Sequence, residues 1–335
     1  MKNYSLYVGI DISKLKLDVV LVENITTNKS EHFIIENTAK GIKSMIMLFK
    51  KKKIDLSKTL FCFENTGVYT YPLSIYLSAL ELDYWIVPAI EIKRSKGISR
   101  GKTDKTDAKD IAWYSLRNID KLKLSSIPEK EIQQLKLLFT ERDKVMKSLL
   151  IFGTTNENKD FISNDVFKVV STINTKNIKS LKISLKELES KMKEIIKNNC
   201  ALKQQFDLIK SVPGVGQQSA LYFIIATKGF TAFDNSRKFA CYSGTAPFEY
   251  SSGSSVRAGT KVNHMADKKM KSLLQMGALA AIKHDPQLKE YYNKKKKEGK
   301  NSMLILNNIR CKIIDRVFCV VNRKTPFVDT YKFAS

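Results

Sequence analysis

Ser5-Leu6-Tyr7-Val8-Gly9-Ile10-Asp11-Ile12-Ser13-Lys14-Leu15-Lys16-Leu17-Asp18-Val19-Val20-Leu21-Val22 is the stretch whose reading decides the fold. Polar and apolar residues alternate over residues 5–10, the period of a strand with two unlike faces. Residues 17–22 read as a second strand, and Asp11 to Lys14 leave room only for a short turn between them. Residues 31–36 read as a third. Three strands with short links predict an antiparallel meander. A helical pattern follows over residues 38–53, then a buried-type strand at 59–64, a helix around 71–80, a strand at 84–87 and a helix from about Thr103. Strands first, then strictly alternating helices and strands, predict an α/β domain.

The pattern changes beyond it. From Glu129 to Asn199 only Gly153 interrupts helical periodicity, with Ile132, Leu135, Leu138 and Phe139, and later Leu181, Leu185, Leu188, Met192 and Ile195, at helical spacing. A break near residues 161–174 suggests two long helices folded back on each other, either as a coiled coil or as two core helices of one domain. The rest is mostly helical with irregular islands. Ser211-Val212-Pro213-Gly214-Val215-Gly216 sits between apolar helices, residues 242–261 are rich in Gly and Ser and read as loop, and Lys294 to Lys297 read as a solvated loop. Three parts are expected: an α/β domain at 1–127, a helical hairpin at 128–200 and a mostly helical domain at 201–335.

Composition bounds the partners. The chain has 335 residues, 58 Lys and Arg against 33 Asp and Glu, and a net charge of +25. Such an excess suits a polyanion, since bases that neutralise phosphates release condensed counterions. Only nine of these bases are Arg. Codon bias accounts for Lys over Arg better than for bases over acids. Cys62, Cys200, Cys241, Cys311 and Cys319 form no Cys-x-x-Cys pair, and with three His no zinc spacing exists. Reduced thiols in a cytoplasm are expected. The N-terminus reads as a strand rather than a signal peptide, and no apolar run approaches the ~20 residues that span a membrane.

Four acids stand where strands end or helices begin. Asp11 closes the first strand and Glu64 the fourth, while Asp104 and Asp107 lie three apart at a helix start, on one face. Singly each has a plain reading: Asp104 as a helix N-cap, Asp107 as a first-turn acid favoured by the dipole. Asp110 repeats the spacing and could replace either, and Asp18 is a further acid nearby. Converging carboxylates repel unless a cation neutralises them, so the set points to hard divalent ions, Mg²⁺ or Mn²⁺. Two such ions about 3.5–4 Å apart can activate a nucleophile and stabilise a leaving oxygen of a phosphodiester. In Tyr250-Ser251-Ser252-Gly253-Ser254-Ser255-Val256-Arg257, free amides and Arg257 could hold a phosphate and a serine could attack it, or the run is simply a flexible loop. The turn containing Gly214 and Gly216 could offer amides to a phosphate as a helix-hairpin-helix, or be an ordinary glycine turn.

The element order resembles that of the ribonuclease H superfamily. Gly9-Ile10-Asp11-Ile12-Ser13-Lys14, Phe63-Glu64-Asn65-Thr66-Gly67 and Lys102-Thr103-Asp104-Lys105-Thr106-Asp107-Ala108 resemble the three acidic motifs of the DEDD transposases of bacterial insertion sequences. Pro213-Gly214-Val215-Gly216, Phe239-Ala240-Cys241-Tyr242-Ser243-Gly244-Thr245-Ala246-Pro247 and Ser252-Gly253-Ser254-Ser255-Val256-Arg257 resemble that family's C-terminal domain. The resemblance implies a RuvC-like N-terminal domain, a coiled-coil middle and a helical C-terminal transposase domain. It implies metal on Asp11, Glu64, Asp104 and Asp107, and attack on DNA by Ser252 to give a phosphoserine link. Ser251, Ser254 and Ser255 share that loop. It further implies a structured guide RNA and a homo-oligomer (dimer or tetramer) whose protomers complete each other's sites; Gly214, Gly216, Arg257 and Lys261 are the expected nucleic-acid contacts, and the bacterial nucleoid rather than a membrane is the expected place of work. The alternative from the acids alone is a hydrolytic RuvC-like nuclease or Holliday-junction resolvase. A sugar-kinase reading of Gly9-Ile10-Asp11 lacks a later adenosine-binding glycine motif.

Overall fold

The computed structural model describes residues 2–23, 30–97, 103–154, 161–246, 248–252, 256–261 and 265–329. The chain divides into two compact units, Met1–Ile127 and Pro128–Ser335.

In the first unit β1 (Leu6–Ile12) runs two residues past the alternating stretch, so Asp11 belongs to the strand and the turn shrinks to Ser13, Lys14 and Leu15. Ser13 closes that turn, its amide and its hydroxyl both donating to the Lys16 carbonyl at 3.0 and 2.8 Å. β2 (Lys16–Val22) and β3 (Ser30–Glu36) complete the antiparallel meander. α1 (Ala39–Lys51), N-capped by the Thr38 hydroxyl, carries the chain back so that β4 (Thr59–Glu64) pairs parallel with β1. α2 (Tyr71–Ala79) leads to β5 (Tyr84–Val87), parallel to β4, and the sheet order is β3-β2-β1-β4-β5. A short helix, α3 (Ala89–Ser95), and then α4 (Asp104–Arg117) follow.

Period-2 alternation sorts the sheet into two faces. Leu6, Val8, Ile10, Leu17, Val19, Phe61 and Phe63 bury one face together with Ile42, Met45, Phe49, Leu73 and Leu77 of α1 and α2. The other face presents Tyr7, Leu60 and Cys62 to Ile111 and Tyr114 of α4, and Val20 and Val22 to Ala108 and Ala112. Gly9 lies on this second face. A side-chain carbon there would stand 2.2 Å from the Ala108 carbonyl oxygen and 2.3 Å from the Ala112 amide nitrogen. Helix α4 therefore rests on the bare backbone of β1.

Among the described residues the second unit's regular structure is helical apart from one hairpin. α5 (Lys130–Gly153) and α6 (Asn164–Asn198) pack side by side. α6 begins inside the segment where the break was expected, because Val166, Val169, Val170 and Ile173 continue its stripe. Ile132, Leu135 and Phe139 of α5 and Met192, Ile195 and Ile196 of α6 share one core with α7 (Cys200–Lys210), α8 (Gln217–Thr227), α9 (Ser236–Tyr242), α10 (Lys268–His284), α11 (Pro286–Lys297) and α12 (Ser302–Arg323). At the other ends of α5 and α6, Leu150, Ile151, Val169 and Ile173 are exposed. Two expected loops are regular structure. Residues 242–261 contain β6 (Phe248–Ser252) and β7 (Val256–Lys261), an antiparallel pair, since backbone pairing supplies what Gly and Ser lack in strand preference. Lys294 to Lys297 form the last turn of α11, where lysine is a good helix former and cations suit the dipole. Among the described residues no helix is long and apolar enough to cross a membrane.

Gly9→Ala tests the contact on which α4 depends. Forcing a methyl group against helix backbone should cost about 1–3 kcal/mol or more, read as a lowered melting temperature by circular dichroism. An unchanged melting temperature would mean that α4 can lift from β1 freely.

Candidate active site

Strand alternation and helix start together assemble the acids. Asp11 and Glu64 continue the face of Tyr7, Gly9, Leu60 and Cys62, and Glu64 lies one step past the Ile10–Phe63 pair of the parallel ladder. Asp18 sits directly opposite Asp11 across the β1–β2 ladder. Thr103 caps α4: its hydroxyl accepts from the Thr106 amide at 3.2 Å, and the Thr106 hydroxyl accepts from the Thr103 amide at 2.9 Å. The N-cap role thus falls to Thr103, and Asp104 opens the helix proper, with Asp107 one turn on. The half-buried Asp11 carboxyl is pushed up to about 6, first by burial and then by the charges of Asp107, Asp104, Glu64 and Asp18. Of the acids expected from the sequence, Glu64, Asp104 and Asp107 all act on Asp11, with Asp18 beside them.

Two lysines balance part of this charge. Lys16 Nζ lies 2.7 Å from Asp104 Oδ2 and 3.1 Å from Asp18 Oδ2. Lys96, at the end of α3, lies 2.7 Å from Asp107 Oδ1 and 3.0 Å from Asp110 Oδ2. Burial works against the Lys96 ammonium, but its bonds to Asp107 and Asp110 outweigh this and raise its pKa. Asp18 is buried and also accepts from His32 Nε2 at 2.9 Å, the fully partnered arrangement of a structural acid. Among the described residues no three His, Cys, Asp or Glu side chains are gathered closely enough to hold an ion as they stand. The charged groups that raise the Asp11 pKa are nonetheless all carboxylates, the ligand chemistry that suits a hard divalent cation.

In the second unit Ser252 is the last residue of β6, paired with Val256, while Ser251 pairs with Arg257 and Phe248 with Lys261. Ser252 thus sits at the tip end of a hairpin and Lys261 at its base. Gly253, Ser254 and Ser255 lie outside the described residues. Gly214 adopts a left-handed backbone (φ +85°), and a side-chain carbon there would stand 2.4 Å from the Gly277 carbonyl oxygen of α10. That close approach gives Gly214 a packing role. Gly216 is the exposed N-cap residue of α8.

Comparison with known proteins matches both units. A DEDD transposase model typified by insertion element IS110 matches residues 8–154, and the model described as transposase IS116/IS110/IS902 family matches residues 206–293. Both models are of transposases, and the chain resembles this family in each of its two units. The transposase is 23% identical over 325 residues to a pilin gene-inverting protein of Moraxella bovis, covering 96% of this chain and 97% of that one. It is also 26% identical over 118 residues to an uncharacterized protein of insertion element IS110 from Streptomyces coelicolor, covering 35% of this chain and 29% of that one. It is a DNA transposase or recombinase.

Sequence reasoning did not single out Lys16 and Lys96. Among 58 basic residues nothing marks two of them as partners of the acids. If Lys96 neutralises Asp107 in the metal-free transposase, Lys96→Met should destabilise the chain carrying Asp107 more than one carrying Asp107→Asn. For a pair about a fifth exposed the coupling should reach roughly 0.5–1 kcal/mol in a double-mutant cycle by urea unfolding. Strict additivity would show that the pair does not interact.

Proposed function

We propose that the transposase exchanges DNA strands through a phosphoserine link, with Ser252 as nucleophile, the acids of the first unit as a divalent-metal site and a structured RNA as guide. The observation that supports this reading is that Asp11 and Glu64 end adjacent strands on the face that α4 covers, with Asp104 and Asp107 in the first turn of that helix. Strand order β3-β2-β1-β4-β5 with α4 across β1, β2 and β4 supports a RuvC-like, ribonuclease H type domain at 1–127. The remainder then divides functionally into a helical hairpin at 128–200 and a serine-bearing domain at 201–335. Exposed Leu150, Ile151, Val169 and Ile173 support contact between copies of the chain, as a dimer or tetramer.

Asp11, Glu64, Asp104 and Asp107 would hold Mg²⁺ or Mn²⁺, with Lys16 and Lys96 giving up their places as counter-charge. When bound, the metal neutralises charge developing on the scissile phosphate. Ser252 Oγ attacks phosphorus, an Oγ–P bond replaces a P–O bond to the sugar, and the proton that the serine hydroxyl loses balances the one that the displaced sugar oxygen takes up. Because the phosphodiester energy is kept in the serine ester, a second strand's hydroxyl can reverse the step without ATP. Arg257 and Lys261, with the α11 face of Lys289, Lys294 and Lys297, offer charge to phosphates, while Gly216 offers the N-terminus of α8. A nucleoid DNA substrate in the cytoplasm fits these roles.

The test is a denaturing gel of protein mixed with labelled element-junction DNA. Wild type should form a metal-dependent covalent adduct. Ser252→Ala should lose it while keeping DNA binding, and Asp11→Ala or Glu64→Ala should lose both adduct and cleavage. Cutting without an adduct would favour the hydrolytic nuclease, and cleavage undiminished in excess chelator would remove the metal. Binding should also weaken steeply with salt, as several lysine–phosphate contacts release counterions together. A flat dependence would mean that the basic excess faces no polyanion. A structured RNA from the element's flank should bind more tightly than random RNA of equal length.

A further inference from the structure

The chain enters the serine hairpin from Tyr242, the last residue of α9, and returns at Asp267, the N-cap of α10. These two residues meet. The Asp267 amide donates to the Tyr242 carbonyl at 2.9 Å, closing the base of the excursion. The Tyr242 hydroxyl donates to Asp267 Oδ2 at 2.8 Å, and the Tyr222 hydroxyl of α8 donates to the same oxygen at 2.8 Å. The other oxygen, Oδ1, accepts from the Met270 amide at 2.8 Å and caps α10. One carboxylate therefore does two separable things: Oδ1 starts a helix, and Oδ2 gathers two phenols.

The surroundings are stiff. Tyr222 packs on Phe139 of α5 with ring centroids 5.0 Å apart, and Tyr242 packs on Phe233 at 5.2 Å. Lys269, two residues past the cap, reaches Asp143 of α5 at 2.6 Å. On the outgoing side Ser243 and Thr245 are buried, and Asn307 of α12 donates to the Thr245 carbonyl at 2.6 Å. Capping α10 needs only Oδ1, so the convergence of both phenols on Oδ2 calls for another account.

We infer that Tyr222, Tyr242 and Asp267 form a clasp that fixes the base of the β6–β7 hairpin and so sets where Ser252 is presented. They are positioning residues, acting through the hairpin. Tying both ends of the excursion to α5 and α8 removes conformations that would otherwise carry Ser252 away from the phosphate. The inference rests on Ser252 being the nucleophile.

Full-length wild type, Tyr222→Phe/Tyr242→Phe, Tyr242→Phe alone, Asp267→Asn and Ser252→Ala are compared with saturating labelled junction DNA. Three quantities are read: the single-turnover rate of adduct formation, DNA affinity, and amide hydrogen exchange across β6 and β7. The double Phe variant should form adduct about tenfold more slowly or worse, because small misplacements of a reacting group cost this much. Its DNA affinity should stay that of wild type, and its hairpin amides should exchange faster. Asp267→Asn keeps an oxygen for the cap but turns a donor toward the phenols, so its rate should fall while α10 stays protected. Tyr242 is 39% exposed, so Tyr242→Phe should fold even if the double variant does not, and should show a smaller loss of the same kind. If the Phe variants match wild type in rate and exchange while Ser252→Ala loses the adduct, the clasp is overturned and the nucleophile stands. If Ser252→Ala still forms the adduct, both fall. A drop in melting temperature and affinity without faster hairpin exchange would also overturn the clasp, since ordinary destabilisation would then explain the loss.

Discussion

Helix α4 can lie against β1 only because residue 9 has no side chain. The nearest atoms across that contact are backbone, the Ala108 carbonyl and the Ala112 amide, and backbone in a capped helix cannot step aside. Everything at the acidic end follows from it. With Gly9 under Ala108 and Ala112, the first turn of α4 reaches the end of β1, and strand alternation has already turned Asp11 and Glu64 toward that side. A larger residue at position 9 would separate two carboxylates on the helix from two on the sheet. Ala108 and Ala112 are small for the same reason, and the capping box of Thr103 and Thr106 starts the helix where Asp104 and Asp107 can use it.

Bringing like charges together opposes folding unless something repays it. Asp18 shows what a settled acid looks like, buried between His32 and Lys16. Asp11 is different in kind, since burial and its carboxylate neighbours all act against its charge. A fold selected only for stability would gain by replacing Asp11 with an apolar residue. Lys16 and Lys96 relieve the strain from the flanks, each shared between two acids, and Lys16, the more exposed of the two, is a partner that can leave. The site therefore tolerates its own repulsion without closing permanently.

Most of this was legible in the sequence, for identifiable reasons. Alternation in β1 and apolar runs in the later strands placed β1 to β5 within a residue or two, and strand ends marked Asp11 and Glu64. Asp104 and Asp107 were found, but whether Asp104 was a cap could not be decided until Thr103 was seen to hold that place. What escaped were features that depend on tertiary partners. α3 is seven residues long and lacks a pattern of its own. β6 and β7 are strands because they pair, not because Gly and Ser favour strands. The lysine run of α11 looks like a solvated loop until Leu288 buries the other side of the helix. Lys16 and Lys96 become visible only through the acids they touch.

The C-terminal motifs teach a further distinction. Three short stretches resemble those of the family, yet the structure gives them unequal work. Gly214 lets the α7–α8 turn press onto Gly277 of α10, each glycine leaving room for the other's carbonyl. Ser243 and Thr245 spend their hydroxyls on the Ala240 carbonyl and on each other, inside the core against α12. These residues build the frame around the exit at Tyr242 and the return at Asp267. A serine buried and bonded as Ser243 is cannot reach a phosphate, so the proposed nucleophile is sought in the stretch between exit and return, β6 and β7. Residues recur in a motif because a nucleophile needs a place to stand as much as it needs a hydroxyl. Here Gly214, Ser243 and Thr245 serve as the place to stand.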